Sequence, residues 1–424
     1  MKKVATLLQY IIIVCILFAG CSTNTNEEQT IVLKISDTDL VFDKAASNGN
    51  AGYLTSVNPF SNRTAFVEFG KLVGEESMYE NSFFGFYDMN TKELVEIGEF
   101  ARWVVSSHDN EIIMHNRYLY FCALFVADEV DYKEQITLLR MDIRDKKLEV
   151  IETIEDNTVH PLVYMSKLNE NEFIAAFVKR EDGNYSTNTA ANTTRVVKYN
   201  DVTGESKTII ENKYVYTEGE VTSTGILLES VCGFDNKIYA VGRQMEEGQW
   251  HYYFYTYDSQ GTMISQIEAP ALEHTMKYSI VHGFYVVGNY FTLVQYETGK
   301  GALYKVSDNQ VEVVVKQDEK MTFPNMSNLY SSEKTPYIYY SVNKHALGTE
   351  YSNTTDESLV YALSIETEEV KTINVDIDEE RPYLDYILVD ENGNLVIILL
   401  EDEFGDQARE YFISEETLQR LLGQ

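Results

Sequence analysis

The chain has 424 residues, with 67 acidic against 34 basic side chains and a formal charge of −33. Apolar residues make up 44 % of it and aromatic residues 12 %, enough to close a sizeable core, so the charge does not signal wholesale disorder. So acidic a chain also argues against a nucleic-acid partner, because phosphate must be met by a basic patch.

The first element is an address. Lys2 and Lys3 precede a run from Val4 to Phe18 that is apolar except at Thr6, Gln9 and Tyr10. That run is short for a membrane span, which needs ~20 apolar residues. It ends in Phe18-Ala19-Gly20-Cys21, and the polar run Ser22 to Thr30 follows. Charge, apolar run, small residues and cysteine in this order resemble a bacterial lipoprotein signal peptide with its lipobox, although Phe18 stands where leucine is commoner. The resemblance implies that residues 1–20 are removed and that the Cys21 thiol carries lipid. Residues 21–29 would then be a polar tether, with the protein held on the extracytoplasmic face of a cell membrane. Two acyl chains suffice for stable anchoring where one does not. Of the other cysteines, Cys15 leaves with the signal, and Cys122 and Cys232 lie in apolar strand-like runs. They are read as buried free thiols, since the sequence has no CxxC and no Cys/His zinc spacing.

Beyond the tether, Thr30 to Ser36 alternates with Ile31, Leu33 and Ile35 on one side, a strand pattern. From there one unit recurs: an apolar-aromatic strand, a tight polar turn, a second strand. It is clearest from Phe84 through Tyr87-Asp88-Met89-Asn90-Thr91-Lys92 to Ile97. With Asp88 as marker, the equivalents are Asp142, Asn200, Asp258, Ser307, Ser364 and Ser414, spaced 49 to 58 residues apart. A period near 50 with only β signals indicates propeller blades, each of four antiparallel strands. After the last marker, Glu415 and Glu416 suit a helix N-terminus capped by Ser414, and Leu418, Leu421 and Leu422 share one face. That unit therefore lacks its own outer strand. The expected fold is all-β: one propeller domain over 30–424, monomeric, with seven four-stranded blades, the last completed by the N-terminal strand Thr30 to Ser36. Closing the ring would remove sheet edges that otherwise aggregate.

Tyr87-Asp88-Met89-Asn90-Thr91-Lys92 and Tyr199-Asn200-Asp201-Val202-Thr203-Gly204 are similar to the repeat turn of bacterial propellers of the TolB-like and YVTN-repeat type. The resemblance implies a fold and a scaffolding or binding role, and no substrate.

In such a fold the third-to-fourth-strand turns share one end with the first-to-second-strand turns. The remaining connections share the other. Here the former are short, such as Asp258-Ser-Gln-Gly, whereas the latter include the longer stretches 70–82, 126–135, 180–194, 211–225, 244–251, 268–277, 344–358 and 376–385. Long connections on one rim are where repeat folds carry function. They mix carboxylates with aromatics, which suits cationic peptides, amines or sugars. Asp128, Glu129 and Asp131 form one acidic cluster, and Trp250 and Tyr383 are the aromatic candidates. In the run Trp250 to Tyr257, alternate residues facing opposite ways read as a strand packed between two blades, with Trp250 at its loop end.

No metal site or cofactor is indicated. The histidines lack HExxH spacing, and His282, on an expected inner strand, has no visible ligand partner. No Dx[DN]x[DN]G calcium loop, GxSxG elbow, P-loop or GxGxxG occurs. The functional expectation is a membrane-anchored binding protein without chemistry of its own. Its acidic, aromatic rim would take a protein, peptide or carbohydrate ligand. The alternatives are a carbohydrate-active enzyme using loop carboxylates, or a scaffold of an envelope complex.

Overall fold

The computed structural model describes residues 31–43 and, with breaks, 53–423; the longer breaks are 102–111, 156–161, 181–188, 270–280, 323–328, 345–356 and 401–407. The expected signal 1–20, the tether 21–29 and Cys21 lie outside the described residues. Two short strands come first, β1 (Ile31–Lys34) and β2 (Asp39–Asp43). Four-stranded antiparallel sheets follow in chain order. They are β3–β6 (Tyr53–Ser61, Thr64–Val73, Met78–Asp88, Leu94–Ala101) and β7–β10 (Ile112–His115, Tyr118–Asp128, Lys133–Asp142, Lys147–Glu155). Next come β11–β14 (Leu162–Lys167, Glu172–Arg180, Thr189–Asn200, Ser206–Thr217) and β15–β18 (Leu227–Phe234, Lys237–Glu246, Gln249–Asp258, Met263–Glu268). The sheet β19–β22 (Val281–Val287, Tyr290–Gln295, Gly301–Ser307, Gln310–Lys316) precedes β23–β26 (Met321–Thr322, Tyr337–Lys344, Glu357–Ser364, Val370–Asp376). The chain ends with β27–β29 (Tyr383–Val389, Leu395–Leu400, Ala408–Ile413) and helix α1 (Glu415–Leu422).

The strands β7, β11, β15 and β19, each the first of its sheet, contact one another in succession. The hydrophobic cores lie between consecutive sheets. This radial stacking is a β-propeller. It also explains the alternation in β17. Tyr252 and Phe254 pack toward the β19–β22 side, while Tyr253, Tyr255 and Tyr257 pack toward β11–β14. A blade strand sandwiched by neighbours needs apolar side chains on both faces.

The expected markers each end the third strand of a sheet, or in the case of Ser414 follow it directly. Their shared chemistry is turn capping. Asp142, Asn200 and Asp258 each accept two backbone N–H bonds from the turn through Oδ1. The Ser364 hydroxyl accepts from Thr367 N–H and that of Ser414 from Thr417 N–H. Short side-chain acceptors hold such turns because they satisfy N–H groups the ladder leaves free.

Two expectations are corrected. Among the described residues, six sheets have four strands, but the remaining one has five and mixed pairing, in the order β1-β26-β25-β24-β23. The expectation of seven uniform four-stranded blades does not hold there, since β1 joins parallel to β26, with Leu33 opposite Val375. The segment Thr30 to Ser36 therefore does not complete the last sheet. That outer position is taken by β2, antiparallel to β29 with Asp39 opposite Phe412. Alternation in Ile31-Val-Leu-Lys identifies an outer strand with one buried face, and Leu33 is fully buried. Alternation cannot say which sheet receives it, because pairing partners lie more than 300 residues away. The C-terminal helix has the expected Ser414 cap and buries Leu418, Leu421 and Leu422.

Candidate functional site

At the long-connection end, β14, β15, β16 and β17 meet. Strands β16 and β17 are joined by a two-residue turn, Glu247-Gly248, with φ of 49° and 79°. Positive φ at both central residues is the turn that matches the right-handed twist of a hairpin. The ladder runs to Glu246 opposite Gln249, so Met245 pairs with Trp250 and Arg243 with Tyr252. The expected long connection 244–251 is thus a tight hairpin tip. The sequence pattern underestimated the strands because Gln244, Glu246 and Gln249 read as loop residues.

The preceding connection is fastened to this tip. Thr224 bridges to Val215, and Ser223 N–H donates to the Met245 carbonyl while its hydroxyl accepts from Met245 N–H. Gly225 adopts φ +76°, and a Cβ there would come within 1.9 Å of the Lys213 carbonyl oxygen. Only glycine serves at that close approach.

On this support sits a cation–aromatic cluster. The Arg243 guanidinium lies 4.5 Å from the Trp250 ring centroid, and Tyr214 and Tyr216 flank the indole at 6.5 and 5.9 Å. Arg243 Nε is 2.6 Å from Glu229 Oε1, and both side chains are largely buried. Burial pushes the Glu229 carboxyl above the usual carboxylate range, against the opposing pull of Arg243. Burial also lifts the Tyr214 phenol to about 12. At the exposed edge, His251 Nδ1 meets Glu268 Oε1 at 2.6 Å, and the Tyr253 hydroxyl donates to Glu246 at 3.2 Å.

Trp250 is therefore half-buried and engaged on several sides, with a cation already over its ring. Asp128 ends β8, opposite Lys133 in the register, and Tyr383 begins β27. Glu129 and Asp131 lie outside the described residues, as do the side chains of Asp128, Tyr383, Cys122 and His282. The sequence reading missed Glu229 and Arg243. The available signal was a lone acid within Ile226-Leu-Leu-Glu-Ser-Val and a lone base within Ala240-Val-Gly-Arg, each a charge in an otherwise apolar strand. The Cys232 thiol is pushed up to about 12 by burial. Among the described residues, no group of three or more His, Cys, Asp or Glu side chains is placed to hold a metal ion.

The other end is tied differently. Asp201 accepts from the Tyr120 hydroxyl and, at 3.0 Å, from Asn116 Nδ2, which also reaches the Glu170 carbonyl. Asn169 Nδ2 donates to Asn236 at 2.8 Å, and Asp201 N–H to the Asn171 carbonyl at 2.9 Å. These bonds staple the turns of three consecutive sheets. Nearby, Arg140 and Lys147 hold the exposed Glu149 carboxyl down at about 2. An open hollow of about 500 Å³ lies among Asn169, Glu170, Asn171, Glu172, Asn200 and Asn236.

No family model matches the chain, and no curated protein matches it. Solved structures do. The β-propeller domain of the trilobed protease from Pyrococcus furiosus is 12 % identical over 71 % of this chain and 80 % of its own, with a TM-score of 0.40. An oligogalacturonate lyase from Vibrio parahaemolyticus is 12 % identical, covering 86 % of this chain and 99 % of its own at a TM-score of 0.44. The polysaccharide lyase Uly1 is 10 % identical over 86 % and 90 %, with a TM-score of 0.45.

Proposed function

We propose that this is a lipid-anchored, extracytoplasmic propeller that binds a protein, peptide or carbohydrate partner through its long-connection end. The supporting observation is the cluster of Trp250, Tyr214, Tyr216 and Arg243, held on a rigid hairpin tip. Aromatic and arginine side chains fixed at a rim are the usual anchors of recognition. Asp128, Glu129 and Asp131, expected from the sequence to lie in a connection of the same end, would steer a cationic partner toward it.

The test is capture of the partner from envelope extract, followed by binding kinetics with the purified partner. Neutralising Asp128, Glu129 and Asp131 together should slow association and flatten its dependence on salt. Trp250→Ala should speed dissociation, by about 2 kcal/mol or more in affinity. Charge reversal at Asp145, Lys146 and Lys147, on the short-turn end, should change nothing. A partner lost on that reversal and indifferent to the rim variants would place function at the wrong end.

A second reading, carbohydrate chemistry by carboxylates, has Glu229 in its favour. Burial keeps that carboxyl protonated to higher pH, the property a general acid needs. Polysaccharide turnover by the parent that disappears in Glu229→Gln, in a variant shown to stay folded at the assay temperature, would select this reading. Turnover that persists in the variant would reject it.

A further inference from the structure

We infer that the corner carrying β1 is the surface that rests on the bilayer, an inference that depends on the proposed lipid anchor at Cys21. Strand β1 is an edge: its only paired neighbour among the described residues is β26. Its inward residue Leu33 is fully buried in the core shared by the last two sheets and α1. Its outward residues are one apolar and one charged, Val32 and Lys34. Val32 is 40 % exposed, and Ile35, in the following 3-10 turn Ile35–Asp37, is 62 % exposed. The edge therefore presents two exposed apolar side chains on either side of a lysine, a pattern suited to an apolar–water boundary.

What covers it follows from where the tether ends. Nine residues, Ser22 to Thr30, separate the lipid-bearing cysteine from Ile31. Even fully extended they span only ~30 Å. A globule of this length has a radius of gyration of about 21 Å, so the opposite rim lies beyond that reach while β1 lies within it. The anchor therefore holds Val32 and Ile35 at high effective concentration beside the lipid. The corner is also rigid. Lys34 N–H donates to Asp37 Oδ2 at 3.2 Å, the Thr38 hydroxyl donates to the Ile35 carbonyl at 3.1 Å, and Asp37 pairs with Arg420 of α1 at 2.8 Å. Lys34 is exposed between the two apolar residues, where its ammonium can stay at the headgroup level while the flanking side chains enter the interface. The chain's charge of −33 disfavours an anionic surface, so the partner is a lipid interface met through apolar contact.

The experiment uses the full lipidated chain on phosphatidylcholine vesicles. Single variants Val32→Cys and Ile35→Cys carry an environment-sensitive dye, with Val202→Cys, on a short turn, as reference. Nitroxide-labelled lipid in the vesicles should quench the dye at 32 and 35 at least threefold more than at 202. Equal quenching at all three sites on vesicle-bound protein would overturn the orientation while leaving the anchor intact. Failure of the chain to bind vesicles, with behaviour identical to Cys21→Ser, would overturn the anchor and with it this inference. A dye shift at 32 in vesicle-free solution, accompanied by a dimeric mass, would assign β1 to a second copy instead and equally overturn it.

Discussion

Asp201 and Arg243 occupy opposite ends of neighbouring sheets, and each is the buried charged centre of its surroundings. Asp201 is satisfied by Tyr120 and Asn116 from the sheet before it, and its own backbone N–H donates to Asn171. These contacts join the turn of one sheet to the strands and turn of the sheet before it, and they leave the end polar. Arg243 is compensated by one acid, Glu229, and by the face of one indole. The first arrangement spreads the Asp201 carboxylate over two neutral donors and the more distant Arg140 guanidinium, 3.9 Å away, so losing one leaves others in place. The second confines two opposite charges in a site of low polarity, where losing one strands the other. The contrast separates an end built to join blades from an end built around specific side chains.

The largest break in that contrast should come from Arg243→Met. It leaves the buried Glu229 without its partner and should cost about 3–5 kcal/mol in urea unfolding at neutral pH. The deficit should also depend on pH. Glu229 has a raised folded pKa, so the stability tied to its protonated form is complete below ~4.3 and is lost as pH rises through the folded value. Removing Arg243 raises that value further, so the deficit should be larger at pH 8 than at pH 5. A deficit independent of pH would show that Glu229 does not carry the effect.

Asp201→Ala should cost less, about 1–3 kcal/mol, by taking the acceptor from the Tyr120 hydroxyl and leaving Asn116 only the Glu170 carbonyl. Thermal melting measures it, and a loss matching that of Arg243→Met would erase the distinction drawn between the two ends. The smallest effect should come from charge reversal at Asp145, Lys146 and Lys147, expected within about 1 kcal/mol because the Lys147–Glu149 pair it breaks is exposed and solvent-screened. A large loss there would mean the short turns are coupled more tightly than their bonds indicate.

Much of the architecture is written locally. Asp142, Asn200 and Asp258 recur because the turn after each third strand needs a side-chain acceptor, and that need is visible in one dimension. The two-sided packing of β17 was legible for the same reason, as was the Ser414 helix cap. What was not legible depends on partners distant in the chain. Ile31–Lys34 has the pattern of an outer strand, but its sheet is chosen by Val370–Asp376. Glu229 and Arg243 become a pair only because a hairpin register brings them together, and neither stands in a recognisable motif.

The placement of β1 and β2 also fixes an order of events in time. Both strands are made first, yet each completes a sheet whose other strands come from the last hundred or so residues, and Asp37 meets Arg420 across 383 positions. Contacts of such long range form slowly, because a large loop must close before they stabilise anything. The middle sheets can assemble from neighbours in sequence while β1 and β2 wait. Until α1 emerges, the apolar side chains of these strands have nowhere to go, so the protein is most vulnerable to misassembly in the interval before its final residues are made.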